Sequence, residues 1–299
     1  MGRREVAVQA LAADTIDGKL AAIMRLANWV GTSGVDNGVL SSATAQSASF
    51  ARPPCSAVVS SFAVASSAPT GEICATAIVR GIPQRPLRVE PHELAPRSNL
   101  TTVAGRAALI HAVAHIEYSA IDLALDHALR FSGMPVRYYD DWIRVAVDEA
   151  RHFELLRTHL QSCGHDYGDF PVHDGLWEMA EKTAHDCLTR MALVPRLLEA
   201  RGLDATPPIQ KKLAAAGDAK AVAILAVILA DEEDHVAIGD YWYRFLCVEQ
   251  GLEPEVSFRR LIREYKAPWP QAPMNTKARL AAGFAQLELD ELARGARVR

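Results

Sequence analysis

"VDEARH" spans Val147–His152 and "ADEEDH" spans Ala230–His235. Both read Asp-Glu-x-x-His, and each follows a short apolar stretch. On an α-helix, residues i and i+3 share a face. Glu149 and His152 therefore present an oxygen and a nitrogen side by side, as do Glu232 and His235. Val145, Ala146, Phe153 and Leu156 share the face of the first pair, and Ile228, Leu229, Val236 and Gly239 that of the second. The polar pairs point into an apolar interior, where a carboxylate is costly unless it is paired or bound to metal. With 10 His and 18 Glu in the chain, chance supplies about 0.6 such pairs at average composition. One match would mean nothing. Two inward-facing matches, each preceded by Asp, form a pattern, for which the bland alternative is two buried His–Glu hydrogen-bonded networks without metal.

Working outward, the apolar periodicity from about Thr101 predicts four long helices: 101–131, 136–163, 175–201 and 218–249, the last with Asp218 as N-cap. "LDATPP" (Leu203–Pro208) reads as an interruption followed by a short helix to Gly217. Pro195 lies inside the third helix and predicts a kink or loosened turn. With Gly202 and Pro207–Pro208 it predicts a break just past Glu199 that shapes access there. Four long helices with little strand signal indicate an all-α, four-helix bundle over residues 99–250. Residues 1–30 read as an N-terminal helical segment, helical from 4 to 30. Residues 31–98 read as a Ser/Pro-rich linker, since 31–70 holds ten serines and only two charged residues, Asp36 and Arg52. Residues 251–299 read as a C-terminal helical tail, with stretches near 256–266 and ending near Leu292.

Hairpin arithmetic supplies further carboxylates. Glu117 lies 32 residues before Glu149, and Glu199 lies 33 before Glu232. Folding the first pair of helices about Ser132–Gly133 sets Glu117 level with about residue 149. Folding the second about Gly217 sets Glu199 level with about 235. Glu178 and Glu181 lie 18–21 residues upstream of Glu199, about 27–32 Å along a helix and out of reach. Glu117, Glu149, His152, Glu199, Glu232 and His235 are thus the candidate metal ligands. Four carboxylates and two imidazoles inside a bundle suit two first-row ions, iron or manganese. Asp148 and Asp231 each precede a ligand glutamate. They are expected to accept from the opposite histidine, Asp148 from His235 and Asp231 from His152, and so fix the imidazoles.

The phrases "HIEYSAIDLALD", "DEARHFELL", "RLLEARGLDATP", "ADEEDHVAIG" and "PMNTKARLAAGF" look like those of an uncharacterised bacterial ferritin-like family. That family is distantly similar to the di-iron hydroxylase that modifies tRNA. More broadly, residues 100–250 resemble the ferritin-like di-iron and di-manganese carboxylate superfamily. The resemblance implies a ferritin-like bundle holding two iron ions, with manganese or a mixed Mn/Fe pair as variants. It implies that Glu149 and Glu232 bridge the ions, Glu117 and His152 complete one, and Glu199 and His235 the other. The expected activity is that of an oxygen-activating oxidoreductase, a hydroxylase or oxidase. The rival is a ferroxidase or iron-storage protein, and a third possibility is a metal-stabilised interaction protein.

Composition bounds the partners. The five cysteines contain no Cys-x-x-Cys, which excludes a rubredoxin-like or zinc-ribbon module, so electrons are expected from an external reductase. The net charge of −4 gives no general attraction for nucleic acid; tRNA enters as a substrate only through the resemblance, beside an unspecified small molecule. No run approaches the ~18 consecutive apolar residues of a membrane span, and the start has neither a signal-peptide nor a myristoylation pattern. The expectation is a cytoplasmic protein, possibly a homodimer, without membrane contact. His111 and His115 read as packing or surface residues, His159, His165 and His173 as solvated, Tyr118 as packing, and Tyr241, Trp242 and Tyr243 as core and rim aromatics. The basic stretch Arg259–Lys266 reads as a solvated helix face.

Overall fold

A computed structural model describes residues 2–30, 79–95 and 99–295; most of the linker expected over 31–98 lies outside them. The described residues are helical, with no named strand and one isolated bridge between Arg88 and Val172. The described residues form an all-helical bundle. Its long members are α3 (Val103–Arg130), α4 (Val136–Ser162) and α8 (Ala219–Glu249). The fourth member is a composite: α6 (Cys187–Leu193), a π-helical segment Val194–Glu199, and α7 (Ala200–Ala215). A short α5 (Gly175–Lys182) precedes it. α3 packs on α4, α4 on α8, and α8 on the composite member.

Local chemistry sets the ends. The Thr102 side chain accepts from Gly105 N at 3.1 Å and starts α3; Asp218 does the same for Ala221 N at 3.0 Å and starts α8. Gly133 (φ 77°) and Gly217 (φ 78°) turn the two hairpins in the left-handed region that glycine enters without penalty. α3 has the length and composition of a membrane span, but most of it is buried among its neighbours. From Glu117 to Leu129 every residue of it is covered.

The N-terminal helix expected over 4–30 is two helices, α1 (Arg3–Ala12) and α2 (Ile16–Val30). Thr15 Oγ1 accepts from Gly18 N at 3.2 Å and restarts the chain. The buried Lys19 ammonium caps the end of α1 through Ala10 O (3.1 Å) and Leu11 O (3.3 Å) and pairs with Asp122 of α3. Arg80 donates to the other Asp122 oxygen at 2.8 Å, so this hairpin and the segment near residue 80 are pinned to the bundle by one carboxylate.

The third helix departs from expectation in two places. It breaks at Thr183–Asp186, where Asp186 caps α6 by accepting from Thr189 N at 2.9 Å. Conversely, Pro207 and Pro208 do not break α7 but lie inside it. A proline at 207 removes the N–H that would serve Leu203 O. Asn275 Nδ2 replaces it, donating to Leu203 O at 3.1 Å, and Asp204 accepts from Asn275 N at 2.8 Å. Arg279 pairs with Asp204 at 2.6 Å and donates to Ala200 O at 3.2 Å. Of the C-terminal helices α9 (Pro254–Glu264), α10 (Thr276–Ala281) and α11 (Gln286–Gly295), α10 with its N-cap Asn275 thus braces the ladder that two prolines weaken.

His159 also departs from expectation: it is buried, with Nε2 3.0 Å from Asp218 at the head of α8. Both His111 and His115 are buried, and His115 Nδ1 lies 2.8 Å from Tyr167 OH. Along Arg259–Lys266, Arg259 pairs with Glu291, Arg260 with Glu264, and Arg263 lies over the Trp269 ring.

Removing the Asn275 amide strands the Leu203 carbonyl, so Asn275→Ala is expected to lower unfolding free energy by about 1–3 kcal/mol. Urea titration checks this; an unchanged midpoint would show that α7 does not depend on the tail.

Candidate metal centre

The relative direction of α4 and α8 follows from two contacts. Asp148 Oδ2 lies 3.4 Å from His235 Nε2, and Asp231 Oδ2 lies 3.0 Å from His152 Nε2. A rising number on one helix meets a falling number on the other, so the helices are antiparallel and the two motifs face each other across a local two-fold. Each imidazole turns Nε2 to a half-exposed aspartate and Nδ1 to the interior.

Glu117, Glu149, His152 and Glu232 each offer a ligand atom, all within 4.8 Å of one another. This buried group of carboxylates and imidazole has the composition and spacing to hold a metal ion. His235 joins it through Glu149: its Nδ1 is 2.9 Å from Glu149 Oε1 and 3.7 Å from Glu232 Oε1. The other Glu149 oxygen lies 3.3 Å from His152 Nδ1, so one carboxylate already spans both imidazoles. Glu199 stands outside the gathered four, yet Glu232 and Glu149 are the charges that act most strongly on it. His152 and His235 are 0% and 2% exposed, Glu149 2% and Glu117 4%; Glu199 and Glu232 are partly exposed.

Hydrogen bonds do not fully satisfy this set. His152 Nδ1 is 3.2 Å from Glu117 Oε2 as well as 3.3 Å from Glu149 Oε2, but one ring N–H is directed at only one of them. Glu117 Oε2 is buried without a hydrogen bond. Such an atom is expensive in a low-dielectric interior. The electrostatics agree. Burial and the charge of Glu149 push the Glu117 carboxyl up to about 8. Burial and neighbouring glutamates raise Glu199 and Glu232 too. Burial also works to raise Glu149, but His235 and His152 hold it well below the carboxylate range. Both imidazoles, despite burial, are raised by the carboxylates around them. The site is short of positive charge.

The backbone under Glu199 is unusual. Pro195 lacks the N–H for a regular α-turn, and the chain widens into the π segment that ends at Glu199. Such turns recur at functional sites. Gly239 of α8 lets this segment approach: a Cβ there would sit 2.5 Å from Pro195 Cβ.

Arg151 was not among the candidate residues. Its Nη2 donates to Asp231 Oδ2 at 2.6 Å and lies 3.4 Å from His152 Nε2. The signal was present in the motifs, which carry Arg151 and Asp234 at corresponding positions. Its meaning needed the antiparallel register.

The model of the family "Protein of unknown function (DUF455)" matches residues 47–290, and the chain belongs to that family. A protein of Haemophilus influenzae (strain Rd), described as "Uncharacterized protein", is 48% identical over 219 residues, covering 71% of this chain and 76% of that one. No solved structure matches the chain.

Two outcomes follow from the geometry. A dication must displace the proton of Glu117, so loading with Mn(II) at neutral pH should release protons, and affinity should fall as pH drops below about 8. Indicator absorbance in weak buffer reads this; loading without proton release would contradict the raised carboxyl. Gly239→Ala should displace the π segment and weaken metal uptake while the helical circular dichroism signal persists. Unaltered uptake would mean that the close approach is not needed.

Proposed function

We propose that this DUF455 protein is a dinuclear metal carboxylate oxidoreductase, a ferritin-like hydroxylase or oxidase working with iron. One observation carries the reading: buried carboxylates converge on two imidazoles that supply too few hydrogen bonds, leaving Glu117 Oε2 without one. Two dications would neutralise the four glutamates.

Glu149 and Glu232 would bridge, Glu117 with His152 would complete one position, and Glu199 with His235 the other. The span of Glu149 between the two Nδ1 atoms, 2.9 and 3.3 Å, supports the bridging role. Iron held there would supply electrons for the reduction of dioxygen; manganese or a Mn/Fe pair would fit the same donor set.

The protein's own residues do the rest. Asp148 and Asp231 accept from Nε2 and so leave Nδ1 free as the ligand atom. Phe153, Leu156 and Ile228 are buried on the helix faces that carry the motifs, where they would keep water from the closed sides. The partly exposed Glu199 and Glu232 mark the side from which a small-molecule substrate would approach. Electrons would come from an external reductase, since no Cys-x-x-Cys motif occurs in the chain. A tRNA is one substrate to include among those screened.

The test is metal analysis with the electronic spectrum after anaerobic Fe(II) loading and exposure to air. Two equivalents per chain and an iron-carboxylate spectrum are expected; fewer than one would overturn the reading. Glu149→Ala or Glu232→Ala should abolish dinuclear loading, whereas His152→Ala should weaken one ion preferentially. Peroxide-driven turnover would separate an enzyme from a scaffold. Assembly into a 24-subunit shell would favour storage instead.

A further inference from the structure

The two halves of the centre are related by the local two-fold, yet their surroundings differ in charge. Behind His152, Asp231 Oδ2 takes the imidazole at 3.0 Å and the Arg151 guanidinium at 2.6 Å. Behind His235, Asp148 Oδ2 takes the imidazole at 3.4 Å. Among the described residues no arginine or lysine is ion-paired with Asp148, and the position equivalent to Arg151 holds the exposed Asp234. One half thus carries a neutralised aspartate. The other carries an aspartate that meets its imidazole with no guanidinium beside it.

We infer that Arg151 makes the two metal positions electrostatically unequal, lowering the affinity of the Glu117/His152 position for a divalent cation while the Glu199/His235 position keeps the full charge of Asp148. This rests on the dinuclear reading above. The physical route has two parts. An aspartate shared with a guanidinium is a poorer acceptor, so it polarises the His152 ring less and leaves Nδ1 a weaker base. The guanidinium also repels the bound cation directly, through a partly exposed path that salt screens. Arg151, a cation itself, would not be a ligand. It is a positioning residue acting through Asp231 and His152.

A merely structural role for Arg151, holding Asp231 in place, would give the opposite sign on removal. The two are separated in single-position backgrounds, with His235→Ala isolating the His152 position and His152→Ala isolating the other. Co(II) titrations followed by absorbance give each affinity. Arg151 is 46% exposed, and circular dichroism checks that its variants fold. In the His235→Ala background, Arg151→Gln is expected to tighten Co(II) binding roughly fivefold, with the gain shrinking as salt is raised. Arg151→Lys should keep the weaker affinity. In the His152→Ala background, Arg151→Gln should have a clearly smaller effect, since only the longer-range repulsion is removed there. Weaker or unchanged binding in the first background, or equal shifts in both, would overturn the inference while leaving the dinuclear reading intact. A wild-type chain that takes up no ion would overturn that reading, and this inference with it.

Discussion

Negative charge inside an apolar bundle is the constraint on which the rest depends. A lone carboxylate in such a place protonates or finds a cation. Here Glu117, Glu149, Glu199 and Glu232 act on one another, and raising one carboxyl follows from ionising the next. Glu149 stays low because it alone lies against both imidazoles. Burial supplies the electrostatic strength, and the shortage of donors supplies the demand for an ion.

The other buried carboxylates show what this protein does when no such demand exists. Asp122 lies between Lys19 and Arg80, and Asp126 between Arg130 and Arg190. Asp240 and Glu288 share the fully buried Arg196, with Arg244 alongside. Each of these acids has its cation within ion-pair distance, and removing one member of such a pair costs about 3–5 kcal/mol. The four glutamates of the centre have no lysine or arginine partner among the described residues. That contrast, within one core, separates charges that hold the fold from charges that could hold a metal ion.

Local signals carried much of this. The doubled motif, the hairpin turns at Gly133 and Gly217, and helical period located α3, α4 and α8 to within a few residues and placed Glu117 near the motifs. Pro195 marked an irregular backbone, though not its π form. The failures share a cause. Pro207–Pro208 reads as a break because the atoms that rescue α7 belong to Asn275 and Arg279, some seventy residues away. His159 reads as solvated because its partner, Asp218, arrives from another hairpin. Asp186 as a cap and Arg151 as a charge acquire meaning only once the helices are set side by side. Partners distant in sequence leave no periodic trace.

Glu199 differs from the other candidate ligands for a reason rooted in the same backbone. Glu117, Glu149 and Glu232 stand on unbroken α-helices, whose ladders fix where each side chain starts. Glu199 closes a segment whose hydrogen-bond ladder is altered by Pro195 and whose position rests on contacts from elsewhere: Gly239 beneath it, Arg196 bound to Asp240 and Glu288, and the tail residues that brace α7. The tail thereby becomes part of the centre's support rather than an appendage. Glu199 itself is partly exposed, although its neighbours Val194–Leu198 and Ala200 are buried. Of the candidate ligands, it is the one whose geometry depends most on parts of the chain far from the motifs that announce the site.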